Sequence, residues 1–299
     1  MSKTVLMVCD DHNWAIGHFM HEVSNLLEKY NVIVVDEAEF KDGKDVLLER
    51  ADCYVIGYSE MASLLKPQKR KNAAIGIYQS FEFDENYEAY VNHHDFENMV
   101  PRQELDDLKD YKSIITTTEK FGRPLRRLFD TVEIVRNPIN QDIFTYQQKS
   151  KQGKLTFAWA GNPDHNDYKN YDYFERLRQL PAQFKSATGQ ITSRDRMAQF
   201  YHNTDFLVVT SYSEGEPLTA VEASSTGTPI VGYDVGIMDH LATDIVEFGF
   251  EPLRNKIKSL IQSPDLAARS KKARDNFERY CGADNEYCRS TWKSLIESL

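Results

Sequence analysis

Two glutamates eight positions apart, Glu214 and Glu222, carry the chemistry most worth asking about in this chain. They stand in Ser211-Tyr-Ser-Glu-Gly-Glu-Pro-Leu-Thr-Ala-Val-Glu-Ala-Ser-Ser-Thr-Gly-Thr-Pro-Ile-Val231. Phe206 to Thr210 before it is an apolar run that reads as a buried strand. Gly215 permits a tight turn, Pro217 suits a first helical position, Gly227 suits a helix stop, and a second strand is expected from Pro229 to Tyr233. A helix beginning here offers unpaired N–H groups and the positive end of its dipole, which suits a diphosphate. At ~1.5 Å of rise per residue, Glu222 lies roughly 7 Å further along the axis than the helix start. Ionised carboxylates only accept hydrogen bonds, so the two glutamates suit hydroxyl-bearing groups on either side of a diphosphate, a sugar at Glu214 and a ribose at Glu222.

As a whole string, this segment resembles the Glu-x7-Glu region of retaining glycosyltransferases of the two-Rossmann (GT-B) architecture, the family 4-like group 1 transferases. The resemblance implies an α/β fold of two doubly wound parallel-sheet domains with a cleft between them. It also implies a metal-independent enzyme that transfers a sugar from a nucleotide sugar, UDP-linked by expectation, to an acceptor hydroxyl with retention. No cofactor beyond that substrate is expected. In the family, a basic pair after the glycine of the second domain's first strand holds the donor diphosphate. Lys169 is the matching lysine, while Asn162, after Gly161, stands where an arginine is usual. Losing that bidentate fork calls for another cation, and Arg194 or Arg196, in a loop resembling the one beside the nucleotide base, is the candidate. Glu214 and Lys169 are the implied catalytic residues. The donor set continues with Ser213, Gly215, Glu216, Leu218, Thr219 and Glu222.

In the first domain, Asn13, Trp14, Gly17 and His18 occupy the family's first loop, with Trp14 reading equally well as core. The family often has a histidine soon after the strand read at Ala73 to Tyr78, and this chain has Gln79 and Ser80 instead. Which sugar is used therefore stays open.

The elements that must position these residues follow from periodicity. Strands are expected at Thr4–Cys9, Val32–Val35, Cys53–Gly57, Ala73–Tyr78, Ser113–Thr117 and Val132–Val135, and a helix from about Trp14 to Lys29. Strands alternating with helices point to parallel, doubly wound sheets. No Gly-x-Gly-x-x-Gly follows the first strand, which argues against a dinucleotide enzyme. The second domain opens at Leu155 to Asn162 after a polar linker, Tyr146 to Lys154. The domains are therefore expected at 1–150 and 151–283, with a last helix, 284–299, crossing back to the first.

The 299 residues, 41% hydrophobic, suit two compact domains. A net charge of −10 argues against a protein that coats nucleic acid. Two basic clusters stand apart from it: Lys66 to Lys71, with Lys69 and Arg70, and Arg123 to Arg127, with Arg126 and Arg127. Each reads as a solvated face or as the docking point of an anionic acceptor. The acceptor is accordingly a glycan, a lipid, or DNA carrying a hydroxymethylated base that must be flipped out. A nucleotide-sugar-binding protein without turnover is the reading from another class, and a sugar-nucleotide epimerase a further one. The adjacent His93 and His94 point apart on a helix, no Asp-x-Asp motif ends a strand, and no Cys-x2-Cys pair occurs, so no metal is expected. No run is apolar enough to span a bilayer and no leader opens the chain, so a cytoplasmic protein, monomer or weak dimer, is expected.

Overall fold

The computed structural model describes residues 2–78, 102–150, 153–188 and 193–299, apart from the side chains of residues 102–105, 124 and 167. Gln79, Ser80, His93, His94 and 189–192 lie outside the described residues. The chain divides into two compact units, Met1–Pro138 with Asn285–Leu299, and Ile139–Asp284.

The first unit is built on a six-stranded, all-parallel sheet in the order β2-β1-β3-β4-β5-β6. Its strands are β1 (Thr4–Cys9), β2 (Asn31–Asp36), β3 (Cys53–Ile56), β4 (Ala73–Gly76), β5 (Ser113–Thr116) and β6 (Val132–Ile134). Five of the six residues of β1 are buried, as expected for a parallel strand covered on both faces. Alternate residues Leu6, Val8, Tyr54, Ile56 and Ile75 meet Phe40, Leu65 and Leu108 in one core. The helix Glu37–Arg50 starts with a capping box, Asp36 accepting from the Glu39 amide and Glu39 reaching back to the Asp36 amide. The helix Glu286–Ser298 belongs to this unit, where Trp292 is fully buried and donates its indole N–H to the Arg136 carbonyl at 3.0 Å.

The second unit carries a five-stranded parallel sheet in the order β11-β10-β9-β7-β8. The strands are β7 (Thr156–Ala160), β8 (Gln183–Ala187), β9 (Phe206–Val209), β10 (Ile230–Tyr233) and β11 (Asp244–Val246). Phe157 of β7 stacks on Phe184 and Phe206 from the strands on either side. The stretch Tyr146 to Lys154, polar enough to read as a linker, is tied into this unit: the Lys149 amide donates to Ser270 Oγ at 2.9 Å. The ammonium of the same residue donates to the Tyr201 and His202 carbonyls. A lysine that reads as solvated in one dimension is thus a buried cap on a helix C-terminus.

Candidate functional site

In the second unit the strand order reverses between β7 and β9, and a doubly wound sheet opens a binding crevice beyond the carboxyl ends of its strands at such a point. The two loops that leave these strands carry the residues singled out from the sequence. After β7 come Gly161, Asn162, and a one-turn helix, Asn166–Lys169, closed by Asn170 in the left-handed region. Asparagine tolerates that conformation, and its buried side chain donates to the Thr210 carbonyl at 3.4 Å. After β9 come Thr210 to Pro217 and the helix Leu218–Ser225.

Three bonds draw the loops together. Thr210 Oγ1 donates to the Lys169 carbonyl at 2.6 Å and accepts from the Trp159 indole at 3.0 Å. The Tyr212 amide donates to the Tyr168 carbonyl at 2.8 Å. With its backbone so placed, Lys169 reaches Glu214, Nζ to Oε1 2.5 Å, both side chains being largely shielded from solvent. Such a charge-assisted contact is strong in a shielded setting. A third loop supports Glu214 from behind. Gly236 has φ 51°, and a Cβ there would stand 2.0 Å from the Gly215 carbonyl oxygen, so only glycine lets the β10 loop approach this closely.

The helix Leu218–Ser225 is preceded by Pro217 as its N-cap, one place earlier than the first helical position expected for it. Leu218 and Thr219 occupy the first two positions, whose amides have no intrahelical acceptor. At the other end Gly227, with φ 78°, closes a Schellman motif: Thr228 N–H donates to the Ala223 carbonyl and Gly227 N–H to that of Ser224.

Glu222 is 5% exposed and both its oxygens are engaged. Arg194 donates to Oε1 at 2.6 Å and the Tyr201 hydroxyl to Oε2 at 2.8 Å. Burial first, and then the neighbouring Glu222, push the Tyr201 hydroxyl well above its usual range, so it stays protonated and donates. The Arg194 guanidinium also lies over the Phe144 ring, 4.7 Å from its centroid. Arg194, expected as the second cation for a diphosphate, is instead committed to Glu222, and Arg196 is exposed. Asn162, exposed, uses its side chain to accept from the Asp164 amide, capping its own turn. Ser213 and Gly215 are buried in the β9 loop, and Glu216 and Thr219 are half-buried beside them.

The sites read in the first unit are dispersed. Asn13 folds back on Asp11, Trp14 is 64% exposed and so not core, Gly17 is buried, and His18 is half-buried in the helix Ala15–Leu26. The basic cluster at Lys66 to Lys71 does not form one surface patch. Arg70 is 4% exposed and donates to Asp107 and to the Leu65 carbonyl, because it fastens the helix Arg102–Lys109 to the core. Lys69 donates to the Leu48 carbonyl. Arg126 grips Glu119 with two bonds, while Arg123 and Arg127 are exposed.

Sequence reasoning missed Trp159, Tyr201, Thr210 and Gly236. Each acts on a residue distant along the chain, and no local pattern announces that.

The fold defined by these two parallel sheets is GT-B. The structure aligns with sucrose-phosphate synthase from Thermosynechococcus elongatus at a TM-score of 0.72, with 12% identity, over 99% of this chain and 96% of that one. It aligns with an Anabaena protein solved in complex with UDP and glucose at a TM-score of 0.70, with 11% identity, over 99% and 100% of the two chains. Residues 147–280, which lie in the second unit, match the family described as glycosyl transferases group 1. Among curated relatives, D-inositol 3-phosphate glycosyltransferase of Rhodococcus erythropolis is 31% identical over 105 residues. That match covers 30% of this chain and 24% of the relative, about a quarter of its length. Trehalose synthase of Pyrococcus horikoshii is 25% identical over 193 residues, covering 63% of this chain and 42% of that one.

Proposed function

We propose that the chain is a retaining glycosyltransferase of the family 4-like kind that moves a sugar from a UDP-sugar to an acceptor hydroxyl without a metal at the leaving group. The observation that carries this reading is the pairing of Lys169 with Glu214 at the β7/β9 switch point, within the residues that match the group 1 family. Bond breaking at the anomeric carbon develops positive charge on the sugar and negative charge on the departing diphosphate. Lys169 and the amides of Leu218 and Thr219 stabilise the anion, the task a metal performs elsewhere. Glu214 orients the sugar hydroxyls and favours the cationic ring. Glu222, held by Arg194 and Tyr201, presents fixed acceptor capacity to the ribose. UDP as the carrier is supported by the UDP complex of the aligned Anabaena protein.

The test is donor turnover. UDP release from a panel of UDP-sugars, with the anomeric configuration of the product read by NMR, should give retention and should proceed when Mg2+ and Mn2+ are omitted. Wild-type rates in Lys169→Met or Glu222→Ala would overturn the assignment. The acceptor remains a glycan, a lipid or a hydroxymethylated DNA base. Burial of Arg70 and the pairing of Arg126 with Glu119 leave Lys66, Lys71, Arg123 and Arg127 as the exposed cations of the two basic clusters that an anionic acceptor would meet.

A further inference from the structure

At the carboxyl end of the first unit's sheet, four side chains converge that the donor chemistry does not use. β1 and β2 are neighbours, with Cys9 opposite Asp36, so the turn after β1 meets the start of the helix Glu37–Arg50. That juxtaposition brings together His12 from the turn, Asp36 from the end of β2 and Glu39 from the first helical turn. One nitrogen or oxygen from each lies within 4.8 Å of the other two. His12 Nε2 stands 2.8 Å from Glu39 Oε2. On the far side of the ring, His12 Nδ1 stands 2.9 Å from Nε2 of His21, which comes from the helix Ala15–Leu26.

The capping box already orients both carboxylates. Asp36 Oδ1 accepts from the Glu39 amide at 2.8 Å, and Glu39 Oε2, the oxygen that faces His12, accepts from the Asp36 amide at 3.0 Å, so the capping box spends one oxygen of each carboxylate. The imidazole adds one nitrogen that faces Glu39 and another that faces His21, so in the tautomer whose Nδ1–H is donated to His21 the Nε2 lone pair points at Glu39 Oε2 and is open to a cation. An imidazole and two carboxylates, with a neighbouring ring to hold the imidazole, make the donor set of a divalent transition-metal site with an open position for water. Ligand atoms at about 2.0–2.2 Å from such an ion stand roughly 3.3 Å apart, so the His12–Glu39 contact need open only slightly.

We propose that His12, Asp36 and Glu39 bind one divalent transition-metal ion, with His21 as the outer partner that fixes the His12 ring. The ion ties the turn after β1 to the second strand and so sets the position of Asn13 and Trp14, which leave that turn. The site lies in the first unit and is independent of the glycosyltransferase reading. Reading along the chain could not reach it, because its members are separated by a helix and a strand.

The experiment is calorimetric titration of the EDTA-treated, dialysed full chain with Zn2+, with Mg2+ as control and no donor or acceptor present. One Zn2+ per chain with no Mg2+ binding is expected, together with a rise in Tm on adding Zn2+. Affinity should fall at least 10-fold in Glu39→Gln, whose amide oxygen keeps the capping box, and 10- to 100-fold in His21→Ala. His12→Ala should bind none, and circular dichroism checks that each variant is folded. Should His12→Ala fail to fold, Glu39→Gln decides. No stoichiometric Zn2+ in the wild type, or equal affinity in Glu39→Gln, overturns the proposal and leaves a capping box joined to His12 by a hydrogen bond.

Discussion

The ends of the two sheets use charge differently. In the second unit the functional candidates are braced from behind: Lys169 by Thr210, Glu214 by the close approach of Gly236, and Glu222 by Arg194 and Tyr201. In the first unit the turn after β1 is held through His12 by Glu39 and His21, while Asn13 bonds only to the nearby Asp11 and Trp14 is exposed. A surface that stabilises developing charge must be rigid before the reaction begins. On the proposed function, the difference places the charge-stabilising groups in the second unit, where side chains from several loops brace them.

The sharpest way to break this comparison is to remove the central pair. Lys169→Met or Glu214→Gln is expected to lower kcat by about 10²- to 10³-fold, on the scale of losing one stabilising donor. If rates hold, rigidity at the β7/β9 switch point has nothing to do with catalysis. Thr210→Val comes next. It strands the Trp159 indole and the Lys169 carbonyl, so a loss of about 1–3 kcal/mol in denaturant unfolding is expected, with transfer falling alongside. Unchanged stability with lost transfer would sharpen the case, assigning Thr210 to placing Lys169 alone.

A third test uses pH. Burial lowers the Lys149 ammonium from its ordinary 10.5 to about 8, with Asp205 opposing the shift and Lys185 adding to it. Below pH 8 the lysine is charged in both folded and unfolded chains, and the folded state bears the full desolvation cost. Between about 8 and 10.5 the unfolded chain binds more protons, so stability contributed by this group rises with pH. Urea unfolding across that window should show a steeper rise in the wild type than in Lys149→Met, and parallel curves would refute the buried cap. The smallest effect belongs to the first unit's surface. Arg126→Ala removes an exposed pair with Glu119 and should change stability by about 0–1 kcal/mol. A large loss there would show the first unit to be as tightly braced as the second.

Most strands were legible in the sequence. The apolar runs at Thr4–Cys9, Phe206–Val209 and Ile230–Tyr233 are short, β-branched and bounded by turn residues, and such signals are local. β8 and β11 escaped notice. Gln183–Ala187 carries Gln, Lys and Ser, and Asp244–Val246 is three residues long, so neither shows an apolar run. The stop at Gly227 was readable because only a few residues tolerate the left-handed cap. Arg70 misled because its neighbourhood in sequence is basic and solvated-looking, whereas its partners, Asp107 in the helix Arg102–Lys109 and Asp110 just after it, lie some forty residues away.

By itself the sequence determined two alternating strand–helix series, the position of the Glu214–Glu222 helix, and the likeness of residues around it to a group 1 transferase. These are matters of local propensity, turn chemistry and spacing along one helix. Only the tertiary structure decided that Lys169 meets Glu214, that Arg194 and Tyr201 hold Glu222, and that His12 faces Asp36 and Glu39. The reason is sheet order: β7 lies beside β9 and β1 beside β2, and which strands become neighbours is settled by the packing of whole faces, a quantity no short window of sequence contains.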